Sequence, residues 1–170
     1  MIQEGQVTNR TLMVNTNGQQ NKSLHVLIAD DDPDDRLMTS EALIQSLTPS
    51  KISFVEDGEE LLDFLHQRGK YTDGNITHPD LILLDLNMPK KNGIEALKEI
   101  KSDHELKHIP IVVLTTSKVE EDIYRTYDLG VNSFVTKPVS YGSLVNTMKI
   151  MGKYWFEVVR LPSERNTSRG

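Results

Sequence analysis

Hydrophobic residues along the chain follow two alternating patterns. Five short runs rich in aliphatic and β-branched residues each predict a buried strand: "LHVLIA", "KISFVE", "DLILLD", "IPIVVLT" and "NSFVTK". Each run is followed by a segment whose apolar residues recur every three or four positions, which predicts a helix. Repeated strand–helix alternation predicts an α/β fold, with a five-stranded parallel sheet and helices on both faces.

Capping signals set the expected helix boundaries, because Ser, Asp and Asn accept hydrogen bonds at helix starts and Gly is favoured after helix ends. The boundary residues are Asp32 and Pro33 for the first helix, Asp57 with Glu60 for the second, Asn92 and Gly93 for the third, Ser117 with Glu120 and then Gly130 for the fourth, and Ser140 for the fifth.

Helical spacing also predicts which side chains face the core. They are Leu37, Ile44 and Leu47 in the first helix, Leu61, Phe64 and Leu65 in the second, Ile94, Leu97 and Ile100 in the third, and Leu144, Met148, Met151 and Trp155 in the fifth. Residues 1–22 and 161–170 are polar and lack periodicity, so we expect flexible tails around one domain, 23–160.

Composition narrows the function. The chain has 19 Lys+Arg against 25 Asp+Glu, a net charge of -6, which disfavours binding to nucleic acid or anionic membranes. No apolar run approaches the roughly 20 residues that span a bilayer, and the N-terminus lacks a signal-peptide pattern. The absence of cysteine excludes thiolate catalysis and Cys-ligated zinc. A cytoplasmic protein is the simplest interpretation.

Polar side chains follow the predicted strands at their carboxyl ends, where ligands bind in open parallel sheets. Asp30 and Asp31 follow the first strand, Asp85 the third, Thr115 the fourth and Lys137 the fifth. Carboxylates brought together at one edge repel each other unless a cation lies among them. Hard oxygen ligands of this kind suit Mg2+.

The aspartate run "ADDDPDD" could also form a calcium-binding loop or simply start a helix. A calcium-binding EF-hand loop requires glycine at its sixth position, and here that residue is Asp35. Carboxylates at a helix start stabilise the helix dipole without any further function. For Asp32, Asp34 and Asp35 we favour this structural role, whereas Asp30 and Asp31 precede the helix and are assigned to the site.

The strand-end motifs together resemble the receiver domain of two-component response regulators. The matching segments are "VLIADDDP", "LILLDLNMP" with "NG" shortly after it, "PIVVLTT" and "FVTKPV", and they cover residues 24 to about 159. The segments "LTTSKVEEDI", "YDLGVNSFVTKPV" and "WFEVVRLP" are similar to the stand-alone regulators of cyanobacterial and bacterial phytochromes. The resemblance implies a flavodoxin-like fold with strand order 2-1-3-4-5.

The same resemblance implies residue roles. Asp85 is expected to accept a phosphoryl group from a phosphohistidine on a sensor histidine kinase, in a reaction that depends on positioning and charge neutralisation. Lys137 and Thr115 are expected to contact the phosphoryl oxygens. The implied Mg2+ ligands are Asp30, Asp31, Asp85 and the backbone carbonyl of Asn87.

Residues around the implied phosphorylation site are expected to adjust its behaviour. Thr116, together with Asn87 and Ser117, is expected to alter access to the phosphoryl group and hence its lifetime. Phe134 stands where receivers carry an aromatic switch residue, and it can respond to Thr115 only by packing because it lacks a hydroxyl. Pro138 resembles the cis-proline that holds the lysine of the family in place.

Rival functions fit the sequence less well. A haloacid-dehalogenase-type enzyme needs an acid two residues after its aspartyl nucleophile, and here that residue is Asn87. A receiver-like adaptor that never takes phosphate would not need the complete set of acidic pair, acceptor, threonine and lysine. No residues remain after the fifth helix for a DNA-binding domain, so the expected output is protein–protein contact. A kinase other than a phytochrome, or a relay intermediate that passes phosphate onward, remains an alternative.

The helical pattern continues beyond Met151 through "KYWFEVV". Trp155 continues the inward stripe and is equally compatible with core and interface. Phe156 and Val159 lie off that stripe and are expected to be exposed on a monomer, as contact sites often are. The phytochrome-type regulators that this sequence resembles are homodimers, so we expect a homodimer through the fifth strand and helix, with Phe156 near its centre.

Overall fold

A five-stranded parallel sheet forms the centre of the protein in a computed structural model, which describes residues 24–46, 51–74 and 76–162. The strand order is β2-β1-β3-β4-β5, as the resemblance implied. The strands are β1 (His25–Ala29), β2 (Lys51–Val55), β3 (Leu81–Leu84), β4 (Ile111–Thr115) and β5 (Ser133–Thr136). The expected tail 1–22, and residues 163–170 of the other, lie outside the described residues.

Five α-helices alternate with the strands in the part of the chain that the structure describes. They are α1 (Pro33–Ser46), α2 (Gly58–His66), α3 (Gly93–Ser102), α4 (Glu120–Asp128) and α5 (Tyr141–Gly152). A short 3-10 helix, Gly69–Tyr71, lies in the loop after α2, and a π-helix, Lys153–Val158, continues from α5. Among the described residues, none of the helices combines the length and the apolar character that crossing a bilayer requires.

The sheet buries both faces because its strand residues alternate between two cores. Val26 and Ile28 of β1 face the core formed with α1 and α5. Leu27 and Ala29 face the other core, which α2 and α3 cover. Continuous apolar strands are therefore explained by helices on both sides.

Four helix starts agree with the sequence. The Asp32 carboxylate accepts hydrogen bonds from the backbone N–H groups of Asp34 and Asp35 at the start of α1. Asp57 caps α2 by accepting from the Glu60 N–H, and Ser140 caps α5. Asn92 and Glu95 form a reciprocal capping box on α3. The Glu60 carboxylate accepts from the N–H of Glu56 instead of Asp57, so the predicted box on α2 is only half formed.

The predicted capping box on α4 is wrong. The helix begins at Glu120 with Val119 as its N-cap residue, and no side chain caps it. The Ser117 hydroxyl instead donates to the carboxylate of Asp122 inside the first turn. The predicted helix end is confirmed, because Gly130 adopts φ 93° just after the helix.

The predicted inward stripe of α1 is also wrong. Leu37 is 57% exposed and Ile44 is 61% exposed, while Leu47 lies outside the described residues. The buried face instead consists of Thr39, Ser40, Ala42 and Leu43. Helix α1 packs on α5, and the Ser46 hydroxyl donates to the Val145 carbonyl oxygen across the contact.

The prediction that Phe156 and Val159 are left in water is wrong as well. Both side chains are half-buried against the core under α1 and α5, and Trp155 is buried there as predicted. For Phe156 the reason is the π-helix, whose wider turn changes the spacing that a regular helix would have. Val159 stands four residues after the buried Trp155, so it belongs to the inward face even at regular spacing. The exposed apolar side chains of this end of the chain are Ile150, Tyr154 and Val158.

Candidate functional site

Three aspartates meet at the carboxyl edge of the sheet. Asp30 and Asp31 follow β1, and Asp85 follows the adjacent strand β3. One carboxylate oxygen from each residue lies within 4.8 Å of the others. Asp30 and Asp85 are 3% and 7% exposed, whereas Asp31 is open to solvent. The site is therefore a partly buried acidic cluster with one accessible side.

The backbone around Asp85 fixes its position. Its N–H donates to the Ala29 carbonyl oxygen at 2.9 Å, which continues the pairing of β3 with β1. Helix α3 begins very close to it, because a Cβ atom on Gly93 would lie 2.3 Å from the Asp85 carbonyl oxygen. The Asn87 N–H lies 3.3 Å from the Asp85 Oδ1 atom. Only glycine at position 93 allows α3 to begin this close to the Asp85 backbone.

Lys137 lies inside the acidic cluster. Its Nζ atom is 2.6 Å from Asp30 Oδ2, 2.7 Å from Asp35 Oδ2 and 3.4 Å from Asp85 Oδ2. Burial alone would lower the pKa of this ammonium, but the hydrogen bonds and charges of the three carboxylates outweigh burial and raise the pKa above its usual value. Lys137 is therefore positively charged throughout the physiological range.

Asp30 is the most enclosed member of the cluster. Its Oδ1 atom accepts from the Asp32 N–H, its Oδ2 atom accepts from Lys137, and its backbone carbonyl accepts from Arg36. Burial raises the pKa of Asp30, and the ammonium of Lys137 offsets this only in part. A further positive charge would favour the ionised form of this carboxyl group.

The donor chemistry of the cluster fits a divalent cation. Carboxylate oxygens are the ligands that Mg2+ and similar hard cations prefer, and a site with few protein ligands leaves room for water and phosphate oxygens. Asp30, Asp31 and Asp85 supply such oxygens at a mutual spacing that one ion can bridge. The exposed side chain of Asp31 gives the ion a path from solvent.

The end of β4 contributes the threonine. Thr115 is fully buried, and its hydroxyl oxygen accepts from the Ser117 N–H at 3.3 Å. The backbone N–H of Lys137 donates to the Thr115 carbonyl oxygen at 2.8 Å, which holds Lys137, just after β5, beside the end of β4. Thr116 is exposed and Ser117 is half-buried at the same edge.

Phe134 and Pro138 lie on either side of Lys137. Phe134 is half-buried against the core under α2 and α3, and its N–H donates to the Tyr127 hydroxyl at 3.2 Å. The expected cis-proline is wrong, because the described residues contain no cis peptide bond and the Lys137–Pro138 bond is trans. Trans is the intrinsically favoured isomer, and the contacts of Lys137 with Thr115 and the carboxylates are all made with it.

The structure thus brings together the aspartates, the lysine and the threonine that the sequence singled out. Trp155, Phe156 and Val159, the predicted interface residues, instead pack against the core under α1 and α5. The sequence interpretation missed Asp35, whose carboxylate contacts Lys137. A signal was present, because Asp35 lies in the first turn of α1, where side chains point back toward the helix start and so toward the same sheet edge.

Comparison with known proteins identifies the family of this site. The model for "Response regulator receiver domain" matches residues 26–149, which include every residue of the acidic cluster, Thr115 and Lys137. The match covers more than half of the chain.

Individual relatives agree with the family match. The response regulator Rcp1 of Synechocystis sp. is 40% identical over 138 residues, which are 81% of this chain and 92% of that protein. The phosphorylated cyanobacterial phytochrome response regulator RcpA superposes with a TM-score of 0.77 at 43% identity, over 82% of this chain and 99% of that one. The Mn2+-bound form of Rcp1 gives a TM-score of 0.76 at 39% identity, with the same coverage.

Proposed function

The chain belongs to the response regulator receiver family, and from this membership and the geometry of the acidic site we propose that Asp85 accepts a phosphoryl group from a sensor histidine kinase. The protein is a response regulator similar to Rcp1. The observation that carries the proposal for Asp85 is its place at the carboxyl end of β3, beside the carboxylates of Asp30 and Asp31 and 3.4 Å from the Lys137 ammonium. The chain would act as a signalling protein that promotes only its own phosphorylation and dephosphorylation.

The proposed reaction is a phosphoryl transfer onto a carboxylate. An Asp85 oxygen forms a bond to phosphorus while the phosphorus–nitrogen bond of the phosphohistidine breaks, and the bonding electrons return to the imidazole. Lys137 already lies 3.4 Å from Asp85, so its ammonium can neutralise the oxygens of the arriving group. The Thr115 hydroxyl, whose oxygen accepts from the Ser117 N–H in this structure, has one hydrogen to donate to a phosphoryl oxygen.

A divalent cation, for which we propose Mg2+, would be held by Asp30, Asp31, Asp85 and the backbone carbonyl of Asn87. When bound, it would neutralise charge on the phosphoryl oxygens. Support comes from the clustered carboxylates of this chain and from the Mn2+-bound form of the related Rcp1. Affinity without phosphate should be modest, because Mg2+ loses its water reluctantly.

The proposed output route runs through β4 and β5. Thr115 would turn toward the phosphoryl group and break the hydrogen bond that its hydroxyl oxygen now accepts from the Ser117 N–H. Phe134 would then adjust its packing, and α4, β5 and α5 would present a changed face to partners. Thr116 and Ser117, next to Thr115, are proposed to influence how long the phosphoryl group survives, together with Asn87.

The proposed partner is a phytochrome-type histidine kinase in the cytoplasm, where ATP supports kinase phosphorylation. The support is that RcpA is a phytochrome response regulator of 43% identity. A kinase of another type, or a relay protein downstream, would use the same site chemistry. We also propose that the protein forms a homodimer through β5, α5 and the adjoining π-helix, and exposed apolar side chains on α5 support this.

The phosphoacceptor is tested by intact-protein mass spectrometry after incubation with acetyl phosphate and Mg2+ at mild pH. The wild type should gain one base-labile phosphoryl group, and Asp85→Asn should gain none. Asp57→Asn is a matched control, because Asp57 is also a buried aspartate but lies outside the cluster. Full labelling of Asp85→Asn would refute the assignment.

A further inference from the structure

Lys137 has more carboxylate partners than the phosphorylation chemistry requires. Its three ammonium N–H groups have three acceptor carboxylates, on Asp30, Asp35 and Asp85. Two of these, Asp30 and Asp85, also belong to the cluster that can hold a cation, and Asp35 does not. The lysine and the cation therefore draw on the same two carboxylates.

This sharing creates a competition. The Oδ2 atom of Asp30 lies 2.6 Å from Lys137, and its Oδ1 atom already accepts from the Asp32 N–H at 3.0 Å. A cation that binds Asp30 therefore competes with the Lys137 ammonium for the negative charge of this carboxylate. The ammonium is left with less negative charge around it unless another carboxylate stays in place.

Asp35 is placed to remain with the lysine. It occupies the first turn of α1, and its backbone N–H is held by the Asp32 side chain. Its Oδ2 atom lies 2.7 Å from Lys137 Nζ. The side chain of Asp35 is 29% exposed and that of Lys137 is 10% exposed. An ion pair of this burial is screened less by solvent than a pair on the open surface.

We propose that Asp35 is a positioning residue that holds Lys137 while Asp30 and Asp85 bind the divalent cation. Asp35 keeps the ammonium at the edge of the site and draws it away from the carboxylates that bind the cation. The inference rests on the proposed function and adds a residue to it. The helix dipole accounts equally for Asp34 and Asp35, but it does not account for the contact between Asp35 and Lys137.

The test compares two neutralising substitutions in the same helical turn. Asp35→Asn removes the charge that faces Lys137, and Asp34→Asn removes an equal charge from an exposed side chain. Mg2+ binding is measured by calorimetry without any phosphoryl donor. We expect Asp35→Asn to raise the Mg2+ Kd about fivefold, because the Lys137 ammonium then pairs only with Asp30 and Asp85 and competes with the cation. Asp34→Asn should change the Kd less than about twofold.

A second background shows whether Asp35 acts through the lysine. With Lys137→Ala present, Asp35→Asn should affect the Mg2+ Kd no more than Asp34→Asn does. Equal effects of the two Asn substitutions in the wild type, or an undiminished effect of Asp35→Asn without Lys137, would overturn the proposal. Asp35→Ser, which also suits the first turn of a helix, repeats the measurement if the Asn variant folds poorly by circular dichroism.

A kinetic readout separates positioning from general damage. With acetyl phosphate, Asp35→Asn should shift the Mg2+ concentration for half-maximal phosphorylation by the same factor, while the rate at saturating Mg2+ changes little. A loss of rate at saturating Mg2+ with no shift in the midpoint would contradict the proposal. Unchanged Mg2+ binding in Asp31→Ala would instead refute the proposed metal site itself, so the two failures are distinguishable.

Discussion

Charge balance at single residues controls the site, because one ammonium stands among three carboxylates. Lys137→Ala should therefore increase Mg2+ affinity by about tenfold, since the cation no longer competes with the ammonium. Without Mg2+ the variant should lose about 2–4 kcal/mol of unfolding free energy, because buried Asp30 is left unpaired. Calorimetry and urea unfolding with and without Mg2+ measure both effects.

Lys98→Ala, which removes an exposed lysine from α3, serves as the control and should change neither the Mg2+ affinity nor the unfolding free energy.

The conformational response to phosphorylation is a second measurement on Lys137→Ala. Phosphorylation by acetyl phosphate should continue, whereas phosphate-dependent chemical shift changes at α4, β5 and α5 should be much reduced. A full set of those changes would show that Lys137 does not couple the site to that face.

Sequence reasoning located individual site residues wherever the topology alone decides proximity. Asp30, Asp85 and Lys137 directly follow parallel strands, whose carboxyl ends lie at one edge of the sheet. Asp35 was assigned to helix stabilisation, because an acidic first turn has that sufficient explanation and the lysine that it contacts lies 102 positions away. The trans bond before Pro138 contradicts the expected cis bond, which came from the family resemblance alone and had no support from the local sequence.

Among the elements, the start of α2 gives the clearest pH-dependent prediction. Burial raises the pKa of Asp57, but the hydrogen bond from Glu60 and the pairing with Lys90 outweigh burial and hold the pKa below 3.8. A lowered pKa means that the ionised form stabilises the fold above pH 3.8, and that this contribution is lost as pH falls through the folded-state pKa.

Asp57→Ala should cost about 1–2 kcal/mol near neutral pH, because it removes both the cap and the Lys90 pair. Asp57→Asn retains a capping side chain and should cost about half as much. Urea unfolding at neutral pH and near pH 3 tests this, and the gap between wild type and Asp57→Asn should shrink at the lower pH. A constant gap would show that the charge on Asp57 contributes nothing.

Element types were predictable from periodicity, but faces and ends were less so. The continuous apolar strands left one solution, a sheet covered on both sides. Helix α1 has apolar residues at Leu37 and Ile44, yet its buried face consists of Thr39, Ser40, Ala42 and Leu43. Close approach of two helices favours small side chains, and a hydrophobicity pattern does not record that preference. The π-helix after α5 likewise breaks the regular spacing from which Phe156 was judged exposed.

For the whole molecule, the burial of Phe156 changes where a homodimer interface should lie. Phe156 and Val159 support the core under α1 and α5. The apolar side chains that remain exposed at this end are Ile150, Tyr154 and Val158, at four-residue spacing along α5 and the π-helix. Phe156→Ala should therefore lower the stability of each subunit more than it weakens association.

Tyr154→Glu should in contrast convert a homodimer to monomer, because it puts a charge into an apolar contact while the subunit core is left intact. Phe54→Glu is the matched control: Tyr154 is 51% exposed and Phe54 is 43% exposed, and β2, which carries Phe54, lies at the opposite sheet edge from β5. Sedimentation velocity at tens of micromolar, with and without phosphorylation, should show a dimer for wild type and Phe54→Glu. A monomeric wild type in both states would refute the homodimer, and a dimeric Tyr154→Glu would place the interface elsewhere.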